Sequence, residues 1–326
     1  MGTKEKVLEI LYRESGCISG EYIAAKLGVS RNSVWKAVNQ LRERGYNIAA
    51  GGDGYLLEDR NAFDEHTVGK YLKRKHKLYI YNEETSSNTV AKGLCAQGED
   101  EGAVIIVKSQ TQGRGRLGRT FLSSSENGLY MSIVLRPQIP AQECVNITVA
   151  GAVAVAKAIE GTSGVKSGIK WVNDIYIGDK KCAGILTEAT VDFECGRVQY
   201  AVIGIGVNLC PPKGGFDAEI EEIACGVYEK EYPQGYKAKL CAEIINNFFD
   251  IYEHLEGKEY LKEYKEKSII IGKTVDVYVG DKIVSGTATD IDENASLVVK
   301  DTLGNIHTFN SGEARVRGTN DKRGIK

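Results

Sequence analysis

The stretch VKSQTQGRGRLGRT, Val107 to Thr120, places glycines in a G-x-G-x-x-G spacing between arginines at 114, 116 and 119. A dinucleotide fingerprint needs a strand before the glycines, a helix N-terminus after them and an acidic residue about twenty positions on. The strand is present as Ala103 to Val107. The helix is missing: Ser123 to Gly128 reads as loop, Leu129 to Leu135 as another strand, and Pro137-Gln138-Ile139-Pro140 stands where the ribose acid belongs. A Walker loop is excluded too, because G-x-x-x-x-G-K-[ST] occurs nowhere. The segment is therefore a loop between strands. Its glycines let backbone approach a ligand, and its guanidinium groups are bidentate, permanently charged donors for phosphate or carboxylate. A solvated basic loop is the plainer alternative.

With 326 residues the chain has room for two or three domains, each with its own core. A net charge of -2 excludes a protein that coats nucleic acid by bulk charge, so any such contact needs a local patch. No apolar run approaches the roughly 18 residues of a membrane span, and MGTKEKVLEI is too charged for a signal peptide, so no membrane partner and a cytoplasmic location are expected. The 8 cysteines include no C-x-x-C, and the 4 histidines fall at no metal-ligand spacing from them. Zinc and structural disulfides are not expected, and the cysteines read as small core residues.

In the first sixty residues, Val7, Ile10 and Leu11 share a helical face, and Ile23, Ala24 and Leu27 mark a second helix that Gly28 ends. Ser30 caps a third, with Val29 and Val34 placed as a hydrophobic staple. Val34, Val38 and Leu41 point inward on that helix. Ser30, Arg31, Asn32, Ser33, Trp35, Lys36 and Asn39 are left to read base edges and phosphates, with Gln40 beside them. After Gly45, the runs Tyr46 to Ile48 and Tyr55 to Leu57 flank Gly51-Gly52-Asp53-Gly54, a hairpin signal. This resembles the winged helix-turn-helix of bacterial regulators; a protein-interaction module with a solvated polar face is the alternative. The charge is modest, so tight DNA binding requires a dimer reading two half-sites.

Asp59-Arg60-Asn61 closes that module, and a helix from Glu65 to Lys73 leads into Lys73-Arg74-Lys75-His76-Lys77, read as a solvated helix end. Strand-like and helix-like segments then alternate to about residue 267. Beyond it, Thr274 to Val279, Lys282 to Thr287, Leu297 to Lys300 and Ile306 to Phe309 are short alternating runs separated by turn residues, the pattern of a small β-barrel. The expected domains are 1–60, 61–267 and 268–326.

Four segments, Gly113 to Arg119, Lys170-Trp-Val-Asn-Asp-Ile-Tyr176, Lys181-Cys-Ala-Gly-Ile-Leu-Thr-Glu188 and Gly204-Ile-Gly-Val-Asn-Leu209, stand in the order and approximate spacing of biotin protein ligases. With the winged module in front, residues 1 to about 318 resemble the bifunctional ligase/biotin operon repressor family. Leu117 replaces a further arginine of many relatives, and Val172 a proline. The resemblance implies a multi-domain α/β protein. Its parts are the winged helix-turn-helix, a central α+β ligase domain with a mixed sheet flanked by helices (class II synthetase-like), and an SH3-like C-terminal barrel.

The implied activity joins biotin to ATP as biotinyl-5'-AMP and passes biotin to a lysine of a biotin carboxyl carrier protein domain. No enzyme nucleophile is required, in keeping with the lack of an obvious Ser/His/Asp or Cys/His set. The implied biotin and adenylate contacts are Ser86, Ser87, Asn88, Gln112, Arg114, Gly115, Arg116, Arg119, Lys181 and Asn208. Lys181 and Arg116 would carry the catalytic charge stabilisation, and Asp174, with Asn173, would help hold Mg2+. Ser86 to Asn88 also read as a helix cap, 170–181 as a surface hairpin, and Ile203 to Leu209 as a glycine-containing core strand. Expected partners are operator DNA of biotin-synthesis genes and a second copy when adenylate is bound. The alternatives are a non-catalytic DNA-binding sensor of a small acid or its adenylate, and a lipoate or octanoate ligase of the same fold.

Overall fold

The computed structural model describes residues 2–14, 16–43, 46–58, 63–123, 127–192 and 194–317. The expectations for Gly45, for Asp59-Arg60-Asn61 and the boundary beside them, for Ser124 to Glu126 and for the tail 318–326 lie outside the described residues. The chain divides into two compact units, 1–63 and 64–326.

The first unit runs α1 (Thr3–Arg13), α2 (Gly20–Leu27), α3 (Arg31–Glu43), β1 (Ile48–Gly51) and β2 (Gly54–Leu57). The Ser19 hydroxyl caps α2 by accepting from the Tyr22 N–H at 3.1 Å, and Gly28 ends it in the left-handed region at φ 67°. The Ser30 hydroxyl accepts from the Ser33 N–H at 3.1 Å and opens α3. Val7, Ile10, Leu11, Ile23, Val34, Val38 and Leu41 form one buried cluster, with Leu27 and Val29 packed on it. The wing turn is Gly52-Asp53. Gly54, at φ 126°, is obligatory, since a Cβ there would stand 2.1 Å from the Ile18 carbonyl oxygen that pairs this strand to the α1–α2 turn.

The second unit continues with α4 (Glu65–Gly69), β3 (Leu78–Glu84), α5 (Ser87–Ala96), β4 (Val104–Gln110), β5 (Gly128–Leu135), α6 (Cys144–Ser163), β6 (Gly168–Lys170) and β7 (Asp174–Ile177). Next come β8 (Lys180–Asp192), β9 (Arg197–Asn208), α7 (Tyr236–Tyr252) and α8 (Tyr260–Glu266). Seven strands form one sheet in the order β3-β4-β5-β9-β8-β7-β6. The β3–β4 pair is parallel and the others antiparallel, so the sheet is mixed. Helix α5 is the crossover between the parallel strands, and its first turn ends up over the middle of the sheet.

Two expectations are corrected here. The helix from residue 65 stops at Gly69 instead of Lys73, because the buried Asn246 of α7 takes over the backbone: its Oδ1 accepts from the Lys73 N–H at 3.0 Å and its Nδ2 donates to the Tyr71 carbonyl at 2.9 Å. Lys73 and Arg74 then pair with Asp250 of α7, Arg74 also with Glu253 just beyond it, and Lys77 with Glu99. Second, Ala141–Ser163 is long and apolar enough to span a membrane by composition, with a mean hydropathy of 1.4. Its apolar window is 67 % buried inside the protein, and Gly151 lies so close to β9 that a Cβ would meet Ile203 at 2.4 Å. Packed on the sheet and on α7, this helix is buried over most of its circumference from Asn146 to Ala156, and its charged residues Lys157 and Glu160 fall in the last two turns.

The C-terminal strands are β10 (Thr274–Val279), β11 (Lys282–Ile291), β12 (Leu297–Asp301), β13 (Ile306–Phe309) and β14 (Glu313–Val316), in the order β13-β12-β11-β10-β14. Strand β14 is an addition to the expected four, and no pairing closes β13 on β14 among the described residues.

At the end of α6, Glu160 accepts from Lys267 Nζ at 2.6 Å and from the Ser167 N–H at 3.0 Å. Burial pushes its carboxyl up, but these hydrogen bonds outweigh it and hold the group below its ordinary 4.5. A depressed folded value means a contribution to stability that is present above pH 4.5 and disappears as pH falls through the folded value. Acid unfolding followed by circular dichroism should therefore be less steep below that pH for Glu160→Gln than for the parent.

Candidate functional site

Two cavities open on one face of the seven-stranded sheet, of about 490 and 1140 Å³ including their mouths. The smaller is floored by Gly204 and Gly206 of β9 and roofed by Ser86, Ser87 and Asn88 at the start of α5. The larger takes in Lys170, Asp174, Asn208 and the apolar Phe216, Ile220 and Ile223. Gly115, Arg116, Phe121, Asn173 and Lys181 line both, so the two meet at a cationic neck. The smaller is of the size of a small-molecule site, and the larger is somewhat roomier.

The neck is built from sequence-distant pieces. Lys181, on β8, reaches back beside Gly184 to place Nζ 2.5 Å from Asp174 Oδ1 on the paired strand β7. A Cβ at Gly184 would lie 3.0 Å from that nitrogen, so the glycine makes the path of the side chain possible. Arg116 Nη1 donates to Asn173 Oδ1 at 3.1 Å and Nη2 to the Gly312 carbonyl at 3.2 Å. Burial pushes the Arg116 guanidinium below its ordinary value and Asp174 opposes this; it remains a cation. Asn173 is held in turn by Nδ2 donating to the Ile185 carbonyl at 2.8 Å. The segment carrying it is fixed by Trp171 Nε1 donating to the Ala295 carbonyl at 2.9 Å and by the buried Tyr264 hydroxyl donating to the Val172 carbonyl at 3.0 Å.

The other expected residues separate. Ser86 is the N-cap residue of α5 yet its side chain makes no cap bond; it is buried in the cavity wall. Arg114 is exposed at the cavity rim. Arg119 is exposed and paired with Glu313, whose carboxyl burial pushes up and Arg119 pulls below its ordinary value. Asn88 lines the cavity, but its amide is engaged by protein: Nδ2 donates to Glu188 Oε2 at 2.8 Å and to the Leu186 carbonyl at 3.3 Å, and Oδ1 accepts from Ser132 at 2.6 Å. Gln112 is a correction. It is exposed and lines neither cavity, whereas Gln110, the last residue of β4, does. Gln110 Oε1 accepts from the Ser87 N–H and its Nε2 donates to Ser123, each at 2.8 Å. A strand points alternate residues to one face, and without knowing where β4 ends the sequence cannot choose between two glutamines two apart.

In place of a helix after the glycines there is a single tight turn, Arg116–Gly118, followed by extended chain. The glycine alternation in β9 has a direct cause: a Cβ at Gly204 would stand 2.2 Å from Asn88 Oδ1, and one at Gly206 2.7 Å from the Phe121 ring. Among the described residues, no three His, Cys, Asp or Glu side chains are grouped to hold a metal. Asp174, beside the Asn173 amide, is the carboxylate at the neck, a donor set that fits a Mg2+ held mainly by substrate oxygens and water.

Family models match the chain in three places: a helix-turn-helix domain over 3–56, the biotin/lipoate A/B protein ligase family over 81–208, and the biotin protein ligase C-terminal domain over 270–317. The bifunctional ligase/repressor BirA of Bacillus spizizenii is 38% identical over 229 residues, 68% of this chain and 70% of that protein. This chain belongs to the family of bifunctional biotin ligase/repressors. The BirA of Escherichia coli is 25% identical over 316 residues, 92% of each chain. In fold, the ligase unit is like the biotin protein ligase of Aquifex aeolicus solved with biotin and ATP, with a TM-score of 0.60, 24% identity, and coverage of 74% of this chain and 98% of that one.

In this ligase/repressor the helix-turn-helix unit presents α3 with Ser30, Arg31, Asn32, Trp35 and Lys36 exposed and Ser33 and Asn39 half-buried. Trp35 is 53% exposed, an unusual place for an indole that serves only packing. Arg31 pairs with Glu21 at 2.8 Å, and the Ser30 and Ser33 hydroxyls meet at 2.9 Å.

Two glycine substitutions should separate cation placement from folding. Gly184→Ala meets the flexible end of Lys181, so its melting temperature should stay within about 2 °C of the parent while ligase activity falls at least roughly tenfold. Gly204→Ala meets a buried, engaged amide and should lower the melting temperature by roughly 5 °C. Equal loss of activity without any difference in melting would contradict this division.

Proposed function

We propose that the chain is an ATP-dependent biotin protein ligase that also acts as a biotin-responsive repressor. In the first half-reaction a carboxylate oxygen of biotin attacks the α-phosphorus of ATP. The bond to the bridging oxygen breaks, pyrophosphate leaves with the electron pair, and biotinyl-5'-AMP remains. In the second, the amine of a carrier lysine attacks the acyl carbon and loses a proton, AMP departs, and an amide results. The protein's tasks are to hold the two substrates in line, neutralise the charge that builds on phosphorus, and keep water from the mixed anhydride.

What supports this reading is the shared neck: Arg116, Asn173 and Lys181 line both the smaller, hydroxyl-rich cavity and the larger, partly apolar one. The smaller suits biotin and the larger the nucleotide, with Ser86, Ser87 and Gln110 toward the ring and Asn208 toward the adenylate. Lys181 is the cation we assign to the carboxylate–phosphate junction, and Arg116 its companion. Arg114, at the rim, and Arg119, in the wall of the larger cavity, would close over the ligand. Asp174 would hold Mg2+, which when bound neutralises phosphate charge.

The domains proposed are 1–60, 61–267 and 268–326, with a class II synthetase-like centre and an SH3-like C-terminal module. The acceptor is a biotin carboxyl carrier domain, and the site of action is the cytoplasm. Unit one reads a palindromic operator of biotin genes as a homodimer, and adenylate favours the dimer, so that ligand and DNA affinity are reciprocally linked.

Biotin-dependent exchange of labelled pyrophosphate into ATP is the test of the first half-reaction. The parent should exchange with biotin and not with lipoate, and Lys181→Gln should lose about 10²–10³ in rate. Exchange with lipoate alone would assign the lipoate ligase instead, and none with either would leave a non-catalytic sensor. Footprinting upstream of biotin-synthesis genes should give protection that depends on biotin and ATP together; equal protection without them would remove the regulatory half.

A further inference from the structure

Helix α3 buries Val34, Ala37, Val38 and Leu41 and leaves Asn32, Trp35, Lys36 and Asn39 along its other side. Both arginine forks of this helix are engaged within the unit. Arg31 Nη1 donates to Glu21 at 2.8 Å, and Arg42 Nε and Nη2 both donate to the Ile48 carbonyl, at 2.9 and 2.7 Å. The side chains best matched to the paired acceptors of guanine are thus occupied at the two ends of the helix. Its middle presents an amide, an indole and an ammonium.

Trp35 is 53% exposed and stands outside the buried cluster of the unit. The other large apolar side chain exposed among the described residues of this unit is Tyr22, whose hydroxyl donates to Glu14 at 2.7 Å. A surface that docks protein gathers several aromatic and aliphatic anchors around a dry centre, and a lone indole among amides does not make one. In the major groove the apolar feature of the base-pair edges is the thymine 5-methyl, set among hydrogen-bonding atoms. An indole face with an amide one turn before it has the complementary make-up. Asn32 and Trp35 stand about 4.5 Å apart along the helix axis, comparable with the roughly 3.4 Å step between base pairs.

We infer that Trp35 is a specificity-determining residue of the DNA-binding unit: its indole packs on a thymine 5-methyl in each half-site, and the Asn32 amide pairs with adenine of the adjoining A·T pair. The inference rests on the reading of this unit as an operator-binding module and deepens it, because it names the base that the helix selects. Lys36, beside the indole, goes to backbone phosphate, where it adds affinity without sequence preference.

The experiment selects duplexes from random-sequence DNA with the full chain in the presence of biotin and ATP. It then measures Kd for the selected duplex with uracil in place of each thymine in turn, a change that removes the 5-methyl and nothing else. For the parent, one thymine per half-site should cost roughly fourfold when replaced, and roughly tenfold or more when replaced in both half-sites. Trp35→Ala should weaken binding to the thymine duplex at least as much and lose the uracil penalty at that position alone, with a melting temperature within about 2 °C of the parent. Trp35→Phe keeps an aromatic face and lacks the N–H, so it should retain a thymine preference, and Asn32→Ala should relax selection at the neighbouring A·T pair. A parent indifferent to every uracil overturns the inference, and this arm needs no variant to fold. A full uracil penalty that persists in Trp35→Ala also overturns it, as does binding by Trp35→Ala as tight as the parent's, which would assign the indole to a protein partner. A parent that enriches no sequence is a different result: it rejects the DNA-binding reading itself, and the role of Trp35 with it.

Discussion

The Lys181 ammonium, 2.5 Å from the Asp174 carboxylate, is the constraint around which the ligase unit is organised. A flexible four-carbon side chain has many positions open to it, and chemistry at a single phosphorus needs one. The carboxylate supplies the attraction, the missing side chain at Gly184 the path, and the Phe121 ring, 5.9 Å below the nitrogen, a weakly interacting floor. Asp174 owes its own place to the β7–β8 pairing, where it stands opposite Gly184. The pair is partly exposed, so its worth lies in placing a charge more than in stabilising the fold.

From that point the architecture reads outward. Asn173 precedes Asp174 in the chain and engages Arg116, so the arginine of the glycine loop and the lysine of β8 are tied to neighbouring residues of one short segment. Trp171 and Tyr264 anchor that segment to the Ala295 turn and to α8. The C-terminal strands enter the same arrangement, since Gly312 accepts from Arg116 and Glu313 pairs with Arg119. The loop carrying Arg116 and Arg119 is thus held on both sides, by oxygens of Asn173 and Gly312 and by the Glu313 carboxylate.

Much of this was legible in the sequence, for reasons that differ by residue. Gly113 to Arg119 could be read as a loop between strands because the residues after it have the pattern of a strand and not of a helix, and β5 begins at Gly128 accordingly. The helix-turn-helix could be read because caps, staple and apolar spacing are local properties, and Ser19, Gly28 and Ser30 act as local chemistry requires. What escaped depends on contacts between distant segments. Asn246 takes the Lys73 backbone from 173 positions away, the middle of α6 is apolar because sheet and α7 cover it, and β14 has a single buried residue, Ala314, to mark it. Glu188 has no task visible in the sequence; its pairings with Lys92 and Asn88, 96 and 100 residues earlier, show that it holds the Asn88 amide in place.

The central claim is that Arg116 and Lys181 act together on one acyl-phosphate junction, and a double-mutant cycle on single-turnover adenylate formation addresses it directly. If the two cations serve one transition state, Arg116→Gln and Lys181→Gln should be non-additive, the double variant losing at least about fivefold less than the product of the single losses. Losses that simply multiply would mean that the two side chains work independently, and the shared neck would not be the place where the reaction occurs.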